Sequence, residues 1–176
     1  MKIAIYPGTF DPITYGHIDV IKKSLNVFDK VIVATTDNVN KNYHFSINDR
    51  LNIINNSLFK DLRLSKNKIK VISFDDLTID LCKKYKANTI IRGLRAVSDF
   101  EYEFQLAGMN KKLNSRIETM FLMSDVENQI ISSKFVKEIA SLGGNIDRFV
   151  TKSTVKVLQN KISWKKFFIY FFYFLV

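Results

Sequence analysis

The sequence predicts an α/β protein built on a five-stranded parallel sheet with helices on both faces. Short apolar runs alternate with longer segments in which apolar residues recur at helical spacing. The connections are short, and a right-handed crossover between parallel strands needs a helix of this length. Such sheets bind ligands beyond the carboxyl ends of their strands, and each unusual cluster of residues in this chain follows a predicted strand.

The predicted strands are apolar runs bounded by polar or turn-forming residues. The first covers residues 2–6 and ends where Pro7 and Gly8 force the backbone to turn. The other four cover residues 31–34, 70–74, 89–91 and 119–123.

Six helices are predicted between and after these strands. In the first, helical periodicity begins at Ile18, which places His17 in the opening turn. Ser46 and Asp49 resemble a capping box that starts the second helix, which extends to about residue 58. The remaining helices are predicted at residues 77–85, 99–113, 132–142 and 150–162.

Composition limits the possible functions. A chain of 176 residues with 47% hydrophobic and 25% charged residues fits one compact globular domain. Its net charge of +10 favours anionic partners such as phosphate esters, nucleic acid or acidic lipids. The single cysteine, Cys82, is expected in the core and excludes an intramolecular disulfide. We predict a cytoplasmic protein, since that compartment is reducing and the first residues do not resemble an export signal.

The last residues differ from the rest, so we divide the chain into a domain of residues 1–162 and a tail of residues 163–176. In the tail, Lys165 and Lys166 precede ten consecutive apolar or aromatic residues. That run is about half the length of a membrane-spanning helix. Three roles stay open: packing on a neighbouring subunit, contact with a membrane surface, or poor order.

The first candidate site cluster, residues 8–17, follows the first strand. Gly8 and Gly16 allow close approach of the backbone to a ligand. His17, at a helix start, adds an imidazole beside free backbone N–H groups, which is typical of phosphate binding. The alternative is a tight turn in which the histidine has only a capping role and is exposed.

The second cluster follows the fourth strand, where Arg92 and Arg95 flank Gly93 and Leu94. Two guanidinium groups and a glycine N–H suit a polyphosphate. Alternatively, both arginines form surface ion pairs with acidic residues of the next helix: Asp99, Glu101 or Glu103.

Three further candidates follow other strands. Ser132 and Ser133 open the helix after the fifth strand, where they could bind phosphate oxygens or simply cap the helix. Lys41 lies in a polar loop after the second strand, and such lysines are usually solvated. Thr78 follows the third strand, where helix capping explains it equally well.

Three blocks of sequence occur in a characteristic order. They read Tyr-Pro-Gly-Thr-Phe-Asp-Pro-Ile-Thr-Tyr-Gly-His at residues 6–17, Ile-Arg-Gly-Leu-Arg-Ala-Val-Ser-Asp-Phe-Glu-Tyr-Glu at 91–103, and Ile-Ser-Ser-Lys-Phe-Val-Lys-Glu at 131–138. Together they resemble the nucleotidyltransferases with the (H/T)xGH motif, and most closely the phosphopantetheine adenylyltransferase family. The similarity covers about residues 1–160, and it implies a Rossmann-like fold and a homohexamer.

The resemblance implies transfer of the adenylyl group of ATP to 4′-phosphopantetheine, giving dephospho-coenzyme A and pyrophosphate. His17 and Thr9 would contact the transition state, and Lys41 and Arg92 would position the nucleophile, with Thr78 as a further substrate contact. Mg²⁺ would arrive with ATP and keep mostly water ligands, so we expect no metal ligand from the chain. The implied ATP contacts are Thr9, Phe10, His17, Gly93, Leu94, Arg95, Glu103, Asn128, Gln129, Ile130, Ile131, Ser132, Ser133 and Lys134.

The third block departs from the family pattern. Lys134 replaces a serine that is common there, and Asn128 and Gln129 stand where an aromatic residue and a serine are frequent. One alternative is a nucleotidyltransferase with nicotinate mononucleotide or glycerol phosphate as acceptor, against which the 91–103 block argues. Another is a nucleic-acid-binding module, but the lysines are spread along the chain, and we predict no nucleic-acid partner.

Overall fold

The structure is a computed structural model that describes residues 1–37, 42–95 and 97–173, with side chains left out at 97, 98 and 163–173. The predicted contact Lys41 and the tail residues 174–176 therefore lie outside the described residues. One sheet of five parallel strands runs through the described chain in the order β3-β2-β1-β4-β5. The strands are β1 Ile3–Gly8, β2 Lys30–Thr36, β3 Ile69–Phe74, β4 Thr89–Leu94 and β5 Glu118–Met123.

Helices connect and follow these strands. They are α1 Tyr15–Ser24, α2 Ile47–Asn55 with a π-helical extension Asn56–Asp61, α3 Thr78–Tyr85, α4 Val97–Leu113, α5 Val126–Gln129, α6 Ser133–Ser141 and α7 Lys152–Tyr173. The sequence prediction did not include α5, which is one turn long and too short to show a periodic pattern.

The two faces of the sheet carry separate cores. In β1, Ala4 and Tyr6 join the larger core, to which α1, α2, α6 and α7 contribute. Ile5, which points the opposite way, joins a smaller core with Ile79 and Cys82 of α3. The predicted five-stranded parallel sheet with helices on both faces is therefore confirmed. Cys82 is buried as expected, and burial raises the pKa of its thiol to about 12.

All five strands are longer than predicted, and the extensions of β1 and β4 change the placement of candidate site residues. Pro7 and Gly8 continue β1 because they stay in register with β2. Arg92, Gly93 and Leu94 belong to β4, because β5 pairs with all three of them. The prediction that these three residues follow the fourth strand is therefore wrong, and Arg92 projects from the sheet itself.

A crevice opens between β1 and β4, where the order of the strands reverses. These two strands pair only at Ala4 with Thr89 and at Ile5 with Ile90. Beyond that point, each strand keeps its other neighbour, so the carboxyl ends of β1 and β4 separate. Such a switch point is where parallel α/β sheets bind their ligands.

The last helix crosses the predicted boundary between domain and tail. It begins at Lys152, where Asp61 accepts hydrogen bonds from the Ser153 N–H at 2.8 Å and the Ser153 hydroxyl at 2.9 Å. The backbone stays helical to Tyr173. In the part of the chain that the structure describes, no helix is both long and apolar enough to cross a membrane.

Candidate active site

A cleft of about 710 Å³ lies over the diverging ends of β1 and β4. All three sequence blocks contribute to its lining. Of the predicted site residues, those that line it are Thr9, Phe10, His17, Thr78, Arg92, Gly93, Arg95, Glu103, Ile131, Ser132, Ser133 and Lys134. Leu94, Asn128, Gln129 and Ile130 are not among the lining residues. The side-chain amide of Gln129 donates to the carbonyl of Ser124, which does line the cleft, at 3.1 Å.

His17 is the third residue of α1 and faces back toward Thr14, the residue that caps this helix. The Thr14 backbone N–H donates to Nδ1 of His17 at 3.1 Å, and the Thr14 hydroxyl lies 2.9 Å from the same atom. Because a backbone N–H can only donate, Nδ1 is an acceptor and the neutral ring carries its proton on Nε2. The capping role is therefore present, but the histidine is half-buried rather than exposed.

The environment keeps this imidazole neutral. Burial disfavours the charged ring, and the positive charges of Arg95 and Arg92 act in the same direction, so the pKa of His17 falls to about 4. The ring of Phe10, which is fully buried, contacts the imidazole edge-on at 5.1 Å between centroids. His17 can therefore donate a hydrogen bond through Nε2 at neutral pH without carrying a charge.

Arg92 is held by two elements at once. Its Nε and Nη2 donate to the carboxylate of Glu103 at 2.6 and 2.5 Å, and its Nη1 donates to the Pro7 carbonyl at 2.9 Å. Burial lowers the pKa of Arg92, but the hydrogen bonds and charge of Glu103 outweigh that effect and the pKa is raised. The guanidinium therefore stays charged and bridges β1 and β4 across the crevice.

Arg95 is more exposed and pairs with Asp99 of α4. Its Nε and Nη2 lie 3.0 and 3.2 Å from the two carboxylate oxygens. The alternative interpretation of the second cluster, pairing with acidic residues of the next helix, is thus realised for both Arg92 and Arg95. Both nevertheless line the cleft, so a phosphate there would meet two guanidinium groups.

The start of α6 forms another wall. Ser132 caps this helix by accepting the Phe135 N–H at 3.1 Å, and the Ser133 hydroxyl donates to the Pro12 carbonyl at 2.7 Å. Capping, the alternative for these serines, is therefore observed for Ser132, and both serines also line the cleft. Lys134, in the first turn of α6, is exposed and also lines the cleft.

Asp11 organises the loop beneath these groups, a role that the sequence analysis missed. It accepts the backbone N–H groups of His44 at 2.8 Å and Phe45 at 2.9 Å, and the ammonium of Lys137 lies 3.0 Å away. Burial raises the pKa of Asp11, but these hydrogen bonds and the Lys137 charge outweigh it, so the pKa is lowered. The sequence held one signal of this role, because Asp11 is an acidic residue within a block whose other residues suit phosphate binding.

Comparisons with known proteins show the family to which this chain belongs. The fold and the site define a nucleotidyltransferase, because the parallel sheet has a crevice at its switch point, with a neutral histidine at a helix start and arginines beside it. Residues 5–139 match the cytidylyltransferase-like family. More narrowly, the chain belongs to the phosphopantetheine adenylyltransferases. It is 68% identical over 160 residues to the phosphopantetheine adenylyltransferase of Pelagibacter ubique, covering 91% of this chain and 98% of that protein.

Other relatives extend this result. The phosphopantetheine adenylyltransferase of Vesicomyosocius okutanii is 48% identical over 161 residues, which cover 92% of this chain and 99% of that protein. Among solved structures, the Plasmodium falciparum nicotinic acid mononucleotide adenylyltransferase in complex with NaAD matches with a TM-score of 0.64 and 18% identity. The match covers 93% of this chain and 95% of that one. At that identity the likeness concerns the fold alone.

Proposed function

We propose that this protein transfers the adenylyl group of ATP to 4′-phosphopantetheine, forming dephospho-coenzyme A and releasing pyrophosphate. The observation that carries the proposal is the convergence of the three family blocks on one cleft. In the reaction, a phosphate oxygen of the acceptor attacks the α-phosphorus, and the bond to the pyrophosphate oxygen breaks. Because the nucleophile is already an anion, the site needs alignment and charge compensation rather than a strong base.

His17 and Thr9 act on the α-phosphoryl group in this proposal. The neutral imidazole donates Nε2–H to a non-bridging oxygen, while Thr14 fixes the ring through Nδ1. The Thr9 hydroxyl is a second donor from the end of β1. Donors that are oriented before the substrate binds need no rearrangement as charge develops in the transition state.

Arg92, Lys41 and Thr78 hold the acceptor phosphate in this proposal. A guanidinium has five N–H groups. Glu103 and the Pro7 carbonyl engage three of those in Arg92, which leaves two for a phosphate without breaking the existing contacts. Glu103 thus orients the guanidinium across the crevice instead of competing for it.

ATP occupies the opposite side, toward α6. The backbone N–H groups at the start of α6, with Ser132 and Ser133, are suited to its phosphates, and Arg95 and Lys134 add positive charge. The nucleoside would lie toward residues 93–94 and 128–131.

Mg²⁺ accompanies ATP in this proposal, bound by phosphate oxygens and water. Within residues 1–37, 42–95 and 97–173, no group of three histidine, cysteine, aspartate or glutamate side chains could hold a metal ion. Of the three carboxylates that line the cleft, Glu103 is engaged by Arg92 and Asp99 by Arg95, and Asp76 is the third. The chemistry that the ion would supply in this proposal is neutralisation of phosphate charge.

The activity is tested by measuring pyrophosphate release from ATP with 4′-phosphopantetheine, nicotinate mononucleotide or glycerol 3-phosphate as acceptor. We expect release only with 4′-phosphopantetheine. Release with another acceptor instead, or none from protein shown to be folded, would overturn the proposal. The 91–103 block and the 68% identity favour phosphopantetheine over the other two acceptors.

We also propose a cytoplasmic homohexamer. The reduced and buried thiol of Cys82 suits a reducing compartment. Several apolar side chains of α4 are exposed in the single chain and would be covered in an assembly: Phe100, Tyr102, Phe104, Met109 and Leu113. Contact of residues 163–176 with a membrane stays a prediction.

A further inference from the structure

Arg50 of α2 is a fully buried arginine beneath the cleft, outside all three family blocks. Its Nη1 lies 2.7 Å from the carbonyl of Thr36, 3.1 Å from that of Thr9 and 3.2 Å from the Thr35 hydroxyl oxygen. Its Nη2 donates to Asp37 at 2.9 Å. The guanidinium therefore joins the carboxyl ends of β1 and β2 from inside the protein.

The Thr9 carbonyl is held twice. It accepts from Nη1 of Arg50 and, at 3.0 Å, from the Thr35 hydroxyl. Both donors are buried, and Thr35 is itself within reach of Arg50. These contacts fix the main chain of the residue whose side chain we assign to the transition state.

Arg50 also holds the chain on both sides of residues 38–41. Asp37 forms an ion pair with it on one side. On the other side, the ring of Tyr43 stacks on the guanidinium, with its centroid 3.9 Å from the Cζ atom. Asp37 and Tyr43, which flank the segment that contains Lys41, are therefore both held by one side chain.

A buried charge of this kind contributes little to stability by itself. Removing a charged side chain from water is costly, and well-packed apolar residues often replace buried ion pairs without loss of stability. A single planar fork, however, can hold several acceptors in one geometry, which a lysine cannot do. The effect of Arg50 is therefore expected in the geometry that it imposes on the cleft.

We propose that Arg50 is a positioning residue for adenylyl transfer, acting through the Thr9 main chain and through Asp37 and Tyr43, which it holds on either side of residues 38–41. The inference rests on the proposed function. It adds a residue from α2 that touches neither substrate and that sets where the reacting groups stand.

The first test is Arg50→Lys, which keeps the positive charge and removes the planar guanidinium group. We expect kcat to fall by about ten- to a hundred-fold, because small misplacement of reacting groups has effects of that size. The KM for ATP should change far less, since the start of α6 is untouched. Arg116→Lys is the matched control, because Arg116 is exposed and precedes β5 at the opposite end of the sheet. Near-normal kcat in Arg50→Lys would overturn the inference.

A double-mutant cycle separates positioning of Thr9 by Arg50 from a general loss of activity. If Arg50 acts through Thr9, the fold-loss in kcat from Arg50→Lys should be clearly smaller in a Thr9→Val background. If Arg50→Lys lowers kcat by the same factor in both backgrounds, Arg50 does not act through Thr9. Wild-type protein without turnover would instead contradict the proposed function, so the two failures are distinguishable.

Thr35→Val provides a milder variant if Arg50→Lys does not fold. It removes one of the two donors to the Thr9 carbonyl and the contact of Thr35 with Arg50, while Arg50 retains its contacts with Thr9, Thr36 and Asp37. We expect a lower kcat with a nearly unchanged KM for ATP in protein whose melting temperature lies well above the assay temperature. A kcat equal to that of the wild type would count against the inference.

Discussion

The imidazole of His17 accepts a hydrogen bond from Thr14 at Nδ1 and lines the cleft. Helix capping and catalysis therefore depend on different nitrogens of one ring. A glutamine can reproduce both contacts, because glutamine is a natural partner in the capping box and its amide N–H₂ can replace Nε2–H. An alanine can reproduce neither of them.

We predict that His17→Ala lowers kcat by about a hundred- to a thousand-fold, as expected for loss of one oriented transition-state donor. It should also lower the free energy of unfolding by about 1 kcal/mol through loss of the cap. His17→Gln should retain the stability and part of the kcat. Steady-state kinetics and thermal melts of both variants check this, and near-normal kcat in His17→Ala would remove the residue from the transition state.

The pKa of His17 gives a stability signature as well. The folded chain has a pKa of about 4, whereas the unfolded histidine has its ordinary value of 6.5. The unfolded state therefore binds more protons between these values, and the contribution to stability is lost as pH falls from 6.5 to 4. His17→Gln should lose less stability than the wild type over this window, measured by thermal melts at pH 7 and pH 4.5.

The contrast between the blocks and Arg50 shows what the sequence could predict. His17, Arg92 and Ser132 lie next to strand ends within recognisable blocks, so their shared cleft could be predicted. Arg50 could not, because a charged residue in an amphipathic helix ordinarily faces water. Only the tertiary structure places it against the carbonyls of Thr9 and Thr36.

Strand β4 illustrates the limits of prediction for strands and helices. Its apolar run ends at Ile91, so the sequence places the end of the strand there, yet pairing with β5 continues to Leu94. Polar residues can remain in a strand when their neighbours supply the backbone hydrogen bonds. The parallel sheet and the placement of helices between its strands follow from the alternation of patterns, whereas the exact ends of strands depend on partners distant in sequence.

The first turn of α6 contains Lys134 where the family commonly has serine. A positive charge there opposes the helix dipole, so an anion in the cleft would relieve that cost. We predict that Lys134→Ser raises the KM for ATP by about three- to ten-fold, leaves kcat nearly unchanged and weakens the salt dependence of KM. Steady-state kinetics at two ionic strengths check this.

Lys156→Ser is the control, because it changes the net charge equally on an exposed site of α7. An equal shift of KM in both variants would show that only the overall charge matters. An unchanged KM in Lys134→Ser would mean that this lysine does not contact the nucleotide.

The role of the tail, residues 163–176, is tested on the assembled protein. The 160 residues aligned with the Pelagibacter relative cover 98% of that protein and 91% of this chain. We predict that a chain of residues 1–162 forms particles with the same number of subunits as the full chain, measured by light scattering. Phe104→Lys, on the exposed face of α4, should reduce that number.

Loss of assembly in the shortened chain would place the tail in the subunit interface. Co-sedimentation with vesicles that contain anionic phospholipids tests the other role. Binding of the full chain but not of residues 1–162 would support membrane contact, and equal behaviour of the two chains would contradict it.

The burial of Cys82 has a consequence for redox chemistry. The proposed acceptor and product both end in a thiol, and a protein with an exposed thiolate would form mixed disulfides with them under oxidising conditions. Here the chain's one cysteine belongs to α3 and faces the core, with its pKa raised to about 12. Such a thiol is almost wholly protonated and hidden from solvent. Oxidative stress can therefore oxidise the substrate pool without covalently trapping the enzyme that handles it.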